Sequence, residues 1–297
     1  MKLFYTDIFV LPLPDGHPFP MAKYRLLRER LVAEGFEKDN QFCIPHAATD
    51  EELITAHDAD YLKRMVAGDL SSQALRRLGL PWSSQLIERS RRSTGATIDA
   101  CRAALMDGLS VNLAGGTHHA FKDRAEGYCV FNDSAVAARI VMAEKLLKNV
   151  VIFDCDVHQG NGTAAILADE PSVFTLSIHG RKNFPHDKEE SDIDISLEDG
   201  TGNDAYLKAL AEGIHYALER ARPELVIFLA GADPYFDDRF GRLALTKEGL
   251  GARDRLVLES CSAQKIPVAI TMAGGYANKI EDTVDIHFQT IKIAAQM

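Results

Sequence analysis

From residue 110 onward the chain repeats one pattern: a short apolar run, a polar break, then a segment whose apolar positions recur three and four residues apart. The apolar runs fall at 110–113, 149–154, 172–178, 224–229 and 266–272, and are dominated by Val, Ile, Leu and Phe. The amphipathic segments fall at 133–147, 162–168, 203–221 and 246–263, and one more closes the chain. Short runs that are apolar throughout, separated by helices, predict a parallel sheet buried on both faces. Upstream, the pattern predicts a strand at 2–5, a Pro-rich loop at 11–18 and a helix from about Met21. Thr49-Asp50-Glu51-Glu52 has the form of a capping box and starts another helix. Residues 70–108 read as helical, interrupted at Gly79-Leu80-Pro81. With no linker, low-complexity tract or long-period repeat, residues 1–297 form one α/β domain, an open, mostly parallel sheet flanked by helices on both faces.

Composition narrows the classes. A net charge of -10 argues against nucleic acid as a direct partner. The basic cluster Arg89-Ser90-Arg91-Arg92 lies in a helical pattern and reads as a solvated face. No run resembles a transmembrane span, and the first residues lack a signal-peptide pattern. Five cysteines without a CxxC pair predict reduced thiols and a cytoplasmic setting.

The polar residues that carry chemistry all lie just after an apolar run. They are Gly115-Gly116-Thr117-His118-His119, Asp154 to Asn161, Gly231-Ala232-Asp233 and Gly274-Gly275-Tyr276. In an open parallel sheet these positions meet at the carboxyl ends of the strands, where ligands bind. Strand alternation puts Asp154, Asp156 and His158 on one side and Cys155 and Val157 on the other. Two acids and an imidazole where a buried strand ends are costly unless a cation compensates them. Asp233 supplies a third ligand, and Asp156, His158 and Asp233 together suit Zn²⁺ or Fe²⁺. His118 and His119 titrate near neutrality, so one can accept a proton from water while the other donates to a leaving group. The Tyr276 phenol is placed to polarise a carbonyl.

These motifs resemble those of the histone deacetylase family, within the arginase/deacetylase superfamily. Gly115-Gly116-Thr117-His118-His119-Ala120 is similar to its double-histidine motif, and Gly127-Tyr128-Cys129-Val130-Phe131-Asn132-Asp133 to its G-F-C-x-x-N-D. Asp154-Cys155-Asp156-Val157-His158-Gln159-Gly160-Asn161-Gly162-Thr163 resembles its metal loop, and Ala230 to Asp233 and Ala273 to Tyr276 resemble the last two motifs. The resemblance runs from about His17 to Tyr276 and implies the family's single-domain fold. It implies zinc on Asp156, His158 and Asp233, and proton transfer by His118 and His119. It further implies carbonyl polarisation by Tyr276, and a structural potassium ion on Asp154, Ser177 and main-chain carbonyls. Gly127, Tyr128, Phe184 and Gly275 would shape a narrow acyl-lysine tunnel, and Asp154 would support His118.

Two departures stand out. Asn161 occupies the place behind the second histidine where many members have an acid, and Tyr128 replaces the commoner phenylalanine. Gln159-Gly160-Asn161 and Asp238-Arg239-Phe240-Gly241 look closest to the class IV branch and its bacterial relatives. The function expected is a metal-dependent amidohydrolase acting on ε-acyl-lysine in a protein or peptide. The alternative is an acetylpolyamine or another small N-acyl amine.

Overall fold

The computed structural model describes residues 1–144 and 147–297. The strands are β1 (Lys2–Phe4), β2 (Gln41–Cys43), β3 (Leu109–Asn112), β4 (Val150–Asp154), β5 (Val173–Gly180), β6 (Ile193–Leu197), β7 (Leu225–Leu229) and β8 (Val268–Thr271). They form one eight-stranded sheet in the order β2-β1-β3-β8-β7-β4-β5-β6, and every pairing is parallel. The helices are α1 (Ala22–Ala33), α2 (Asp50–Leu53), α3 (Ala59–Ala67), α4 (Ser72–Leu78), α5 (Ser84–Asp107), α6 (Asp133–Ala143), α7 (Asn161–Leu167), α8 (Asn203–Ala221), α9 (Lys247–Ala263) and α10 (Ile280–Ala294). The end of the helix expected at 133–147 falls on residues 145–146, which lie outside the described residues.

Alternation along each central strand divides the core in two. Val151 and Phe153 of β4 join Val226 and Phe228 of β7 under α1, α8, α9 and α10. Val150, Ile152, Leu225, Ile227 and Leu229 pack instead against α3, α5 and α6. A strand covered on both faces has no polar side, which is why these runs carry no alternating polar residues. Strand order also explains the position of the site. After β1, the chain puts β2 and β3 on its two sides, leaves a gap, and continues with β4 to β6 to the far edge. β7 and β8 come last and fill that gap. The ends of β3, β8, β7 and β4 are therefore neighbours although far apart in sequence.

The basic cluster is not a solvated face. Arg89 is buried, donates to the carbonyls of Thr6 and Phe9, and stacks on Tyr24. Arg91 donates to the Ala48 carbonyl and Arg92 to that of Pro45. Guanidinium groups satisfy several carbonyls while their stems cover apolar surface, so this helix face ties down the loops that follow β1 and β2. The strands β2 and β6 and the helix α3 lay outside the sequence expectations.

His57 ties the helical layer to the loop that carries the site. Its Nδ1–H donates to the Phe121 carbonyl at 2.9 Å, and its Nε2 accepts the Asn132 N–H at 2.9 Å. Burial pushes its pKa down to about 4. Between the unfolded value of about 6.5 and that folded value, the unfolded chain binds a proton that the fold refuses, so stability falls as pH falls. His57→Gln removes this titration. The stability gap between wild type and variant, from urea unfolding, should narrow by roughly 2 kcal/mol between pH 7 and pH 5. A constant gap would refute the neutral, doubly bonded imidazole.

Candidate active site

The loop after β3 is shaped by glycine and one carboxylate. Gly115 and Gly116 have φ of +80° and +73°, the left-handed region that glycine enters without steric cost. Asp133, the first residue of α6, accepts from Gly116 N–H at 2.9 Å and from the N–H and hydroxyl of Thr117, both at 2.8 Å. This anchor presents His118 and His119 side by side, with ring centroids 4.1 Å apart. His118 Nδ1–H donates to Asp154 Oδ2 at 2.6 Å, and His119 Nδ1–H to Asn161 Oδ1 at 2.7 Å.

The two imidazoles differ sharply in proton affinity. Burial lowers that of His118, but the charges of Asp154 and Asp156 outweigh burial and lift its pKa to about 9. Burial, followed by the neighbouring His118 and His158 charges, holds His119 well below the ordinary range. The pair therefore offers one donor and one neutral base. Behind Asn161 stands a residue that sequence reasoning missed. Asn161 Nδ2 donates to Glu126 Oε1 at 3.2 Å, which fixes the amide with its oxygen towards His119. The acid absent at 161 thus acts one bond further back. It comes from a position that the histidine motif does not mark.

Asp156, His158 and Asp233 bring one potential ligand atom each to within 4.8 Å of one another, and all three are buried. The alternation read from the sequence continues past the end of β4, since Cys155 and Val157 enter the apolar core. Asp156 Oδ1 accepts from the backbone N–H of His158 at 3.0 Å and faces its Nδ1 at 2.9 Å. Asp156 Oδ2 accepts the Gly274 N–H at 2.8 Å. That approach needs glycine, because a Cβ there would lie 1.9 Å from Asp233 Oδ2. Asp233 Oδ1 accepts the Val157 N–H at 2.9 Å, while its Oδ2 is buried without a hydrogen bond. Burial and the Asp156 charge push the Asp233 pKa up to about 7. A buried carboxylate oxygen without a hydrogen bond, 3.4 Å from the His158 Nδ1 and beside a second acid, belongs to a donor set that a divalent cation completes. From the opposite side, the buried Arg253 donates to the carbonyls of Gly231 at 2.5 Å and Cys155 at 3.3 Å. It pins the two loops that carry these acids.

Tyr276 faces the same space. Burial, with the nearby Tyr24 and Asp156 charges, holds its phenol well above the ordinary range, so it keeps its proton and can donate. Asp238 fixes its backbone by accepting the Tyr276 N–H at 2.6 Å, together with those of Phe240 and Gly241 at 2.9 Å. Tyr128 and Ala273 both have positive φ, 67° and 53°. A side-chain-bearing residue pays roughly 1–2 kcal/mol for that conformation, a strain typical of functional sites.

A cavity of about 960 Å³ opens above these groups. Tyr128, Phe184, Phe240 and Tyr276 are among its walls, with His118, His119, Asp156, His158 and Asp233 also lining it. The Phe184 ring meets His119 edge-on at 4.9 Å. Gly127 lines the cavity as expected, though a Cβ there would also strike the His119 ring at 2.6 Å, so part of its free space belongs to that ring. Gly275 does not line it; its Cα faces Thr283 and Ala232. Ser177 is the register partner of Asp154 on β5, and its hydroxyl pairs with His179 Nδ1 at 3.0 Å.

Comparison with known proteins places the sequence and the fold. A histone deacetylase domain model matches residues 17–291. An uncharacterized protein of Picosynechococcus sp. is 42% identical over 283 residues, covering 95% of this chain and 94% of its own. A histone deacetylase-like amidohydrolase of Pseudomonas aeruginosa is 30% identical over 284 residues, covering 90% of this chain and 74% of its own. Among solved structures, the HDA15 HD domain matches in fold with a TM-score of 0.85 at 20% identity, covering 100% of this chain and 91% of that one.

The Asp233 oxygen that lacks a hydrogen bond makes a stability test of the site. Without metal, Asp233→Asn should raise the melting temperature by about 2–4 °C, because a buried charge without full compensation is removed. In wild type, a divalent cation should raise the melting temperature and a chelator should reverse it. The variant should show no such response. A wild type indifferent to every divalent cation would rule out the metal centre.

Proposed function

The chain belongs to the histone deacetylase family, whose members are deacetylase hydrolases, and on that premise we propose that it removes acyl groups from the ε-amino group of lysine in a zinc-dependent hydrolysis. The observation that carries this is the Asp156–His158–Asp233 group at an aromatic-walled cavity, flanked by two imidazoles and a protonated phenol. Asp156, His158 and Asp233 would hold the zinc, which when bound polarises the amide carbonyl and makes water a better nucleophile. Asp154 and its register partner Ser177 would serve a structural potassium ion.

The chain's own groups supply the remaining steps. His119, neutral and held by Asn161, accepts the proton as water attacks the carbonyl carbon. Tyr276 donates a hydrogen bond to the developing oxyanion. His118, protonated against Asp154, gives its proton to the amine nitrogen as the carbon–nitrogen bond breaks. Tyr128 and Phe184 exclude water and align the alkyl chain. Among the described residues no helix is long and apolar enough to cross a membrane. The free cysteines suit a reducing cytoplasm.

Amine release from peptides bearing acetyl-, butyryl- or myristoyl-lysine tests this directly, with Asp233→Ala as the blank. Tyr276→Phe should lower turnover on the order of a hundredfold, and near-wild-type turnover would remove Tyr276 from the mechanism. Asn161→Asp in a Glu126→Gln background puts a carboxylate directly behind His119 without the like charge 3.2 Å away. It should raise the His119 pKa and move the acid limb of the pH–rate profile up by about one unit. An unmoved limb would show that His119 is not the base.

A further inference from the structure

Around the mouth of the cavity the charge runs against that of the whole chain. The chain carries -10, yet Arg76, Arg77, Lys182, Arg239 and Arg242 all line the opening, and all five are exposed. They come from separate elements: the last turn of α4, the loop between β5 and β6, and the loop after β7. Favourable interaction with a helix C-terminus accounts for Arg76 and Arg77 alone. It does not account for the other three.

These cations are poorly compensated. Lys182 and Arg242 share a single carboxylate, Asp199, at 3.8 Å and 3.3 Å. Arg239 donates to the neutral carbonyls of Tyr276 and Pro18, at 3.0 Å each. Arg76 and Arg77 make no ion pair among the described residues. Of the carboxylates lining the cavity, Asp156 and Asp233 are buried in the candidate metal site. Glu126 is occupied by Asn161 and by Arg124 at 3.5 Å. Nor is α4 free to drift from the mouth. The carbonyls of Arg77 and Leu78 accept the N–H groups of Gly127 at 3.1 Å and Tyr128 at 2.8 Å, which fastens the helix end to the tunnel wall.

Building on the deacylase reading above, we propose that the substrate is anionic next to its acylated amine: an acyl-lysine peptide with Asp or Glu at the flanking positions. The tunnel takes the acyl-lysine side chain, so the neighbouring residues lie over the rim. Carboxylates there meet guanidinium groups that bind them in a planar, two-point geometry. A polyamine or a basic tail would meet like charge in the same place.

The test compares labelled acetyl-lysine peptides flanked by Glu or by Lys, together with acetylspermidine, in low and high salt. At low salt kcat/KM should favour the Glu-flanked peptide by about tenfold or more, and high salt should shrink the preference. Arg76→Glu/Arg77→Glu should reverse it; the ratio of the two peptides is unaffected by any loss of folded protein. Equal use of both peptides, or preference for the Lys-flanked peptide or acetylspermidine, overturns the proposal. Fluorescence anisotropy of the same peptides separates it from the deacylase reading. If neither peptide is hydrolysed but the Glu-flanked one binds more tightly and the double variant loses that advantage, the cationic rim stands and the deacylase reading falls. Binding without any flank preference overturns the rim.

Discussion

Three carboxylates, Asp154, Asp156 and Asp233, are buried together at the carboxyl ends of two central strands whose side chains are otherwise apolar. Desolvating that much like charge is costly, and much of the local architecture serves to offset it. His118 neutralises Asp154, and His158 lies against both of the others. Backbone N–H groups of Val157, His158 and Gly274 point inward at the acids. What remains without a hydrogen bond is a single oxygen of Asp233, 3.4 Å from His158 Nδ1, and that remainder is where the chemistry is poised.

The same demand explains residues with no direct part in the reaction. Arg253 is fully buried behind the acids, pairs with Asp254 and grips the carbonyls of both acid-bearing loops. Asp133 and Asp238 do equivalent work for the histidine and tyrosine loops, each accepting several backbone N–H groups. Such anchors hold these loops more tightly than their length alone would suggest.

How much of this the sequence reveals follows from the range of the interactions. Central strands such as Leu225–Leu229 are buried on both faces and are legible as uninterrupted apolar runs. The edge strands are less so: β2 is three partly exposed residues, and β6 alternates Ile193, Ile195 and Leu197 with polar positions among acidic neighbours. Ligand residues were legible because strand ends concentrate them. Glu126 was not, since its partner Asn161 lies 35 positions away and only the folded loops bring them together. The Arg89–Arg92 cluster misled because charge patterning cannot distinguish solvent from a set of buried carbonyls.

The late insertion of β7 and β8 between β3 and β4 has a consequence for how the molecule is made. During synthesis the histidine loop and the first two ligands leave the ribosome long before the strands that separate β3 from β4 exist. Until those strands arrive, Asp154 and Asp156 belong to an unfinished sheet with an open flank, and non-local parallel pairing of this kind forms slowly. Hydrolytic competence is therefore acquired only when nearly the whole chain has emerged. A nascent or truncated chain ending before β8 would carry the acids without the enclosure that makes them useful.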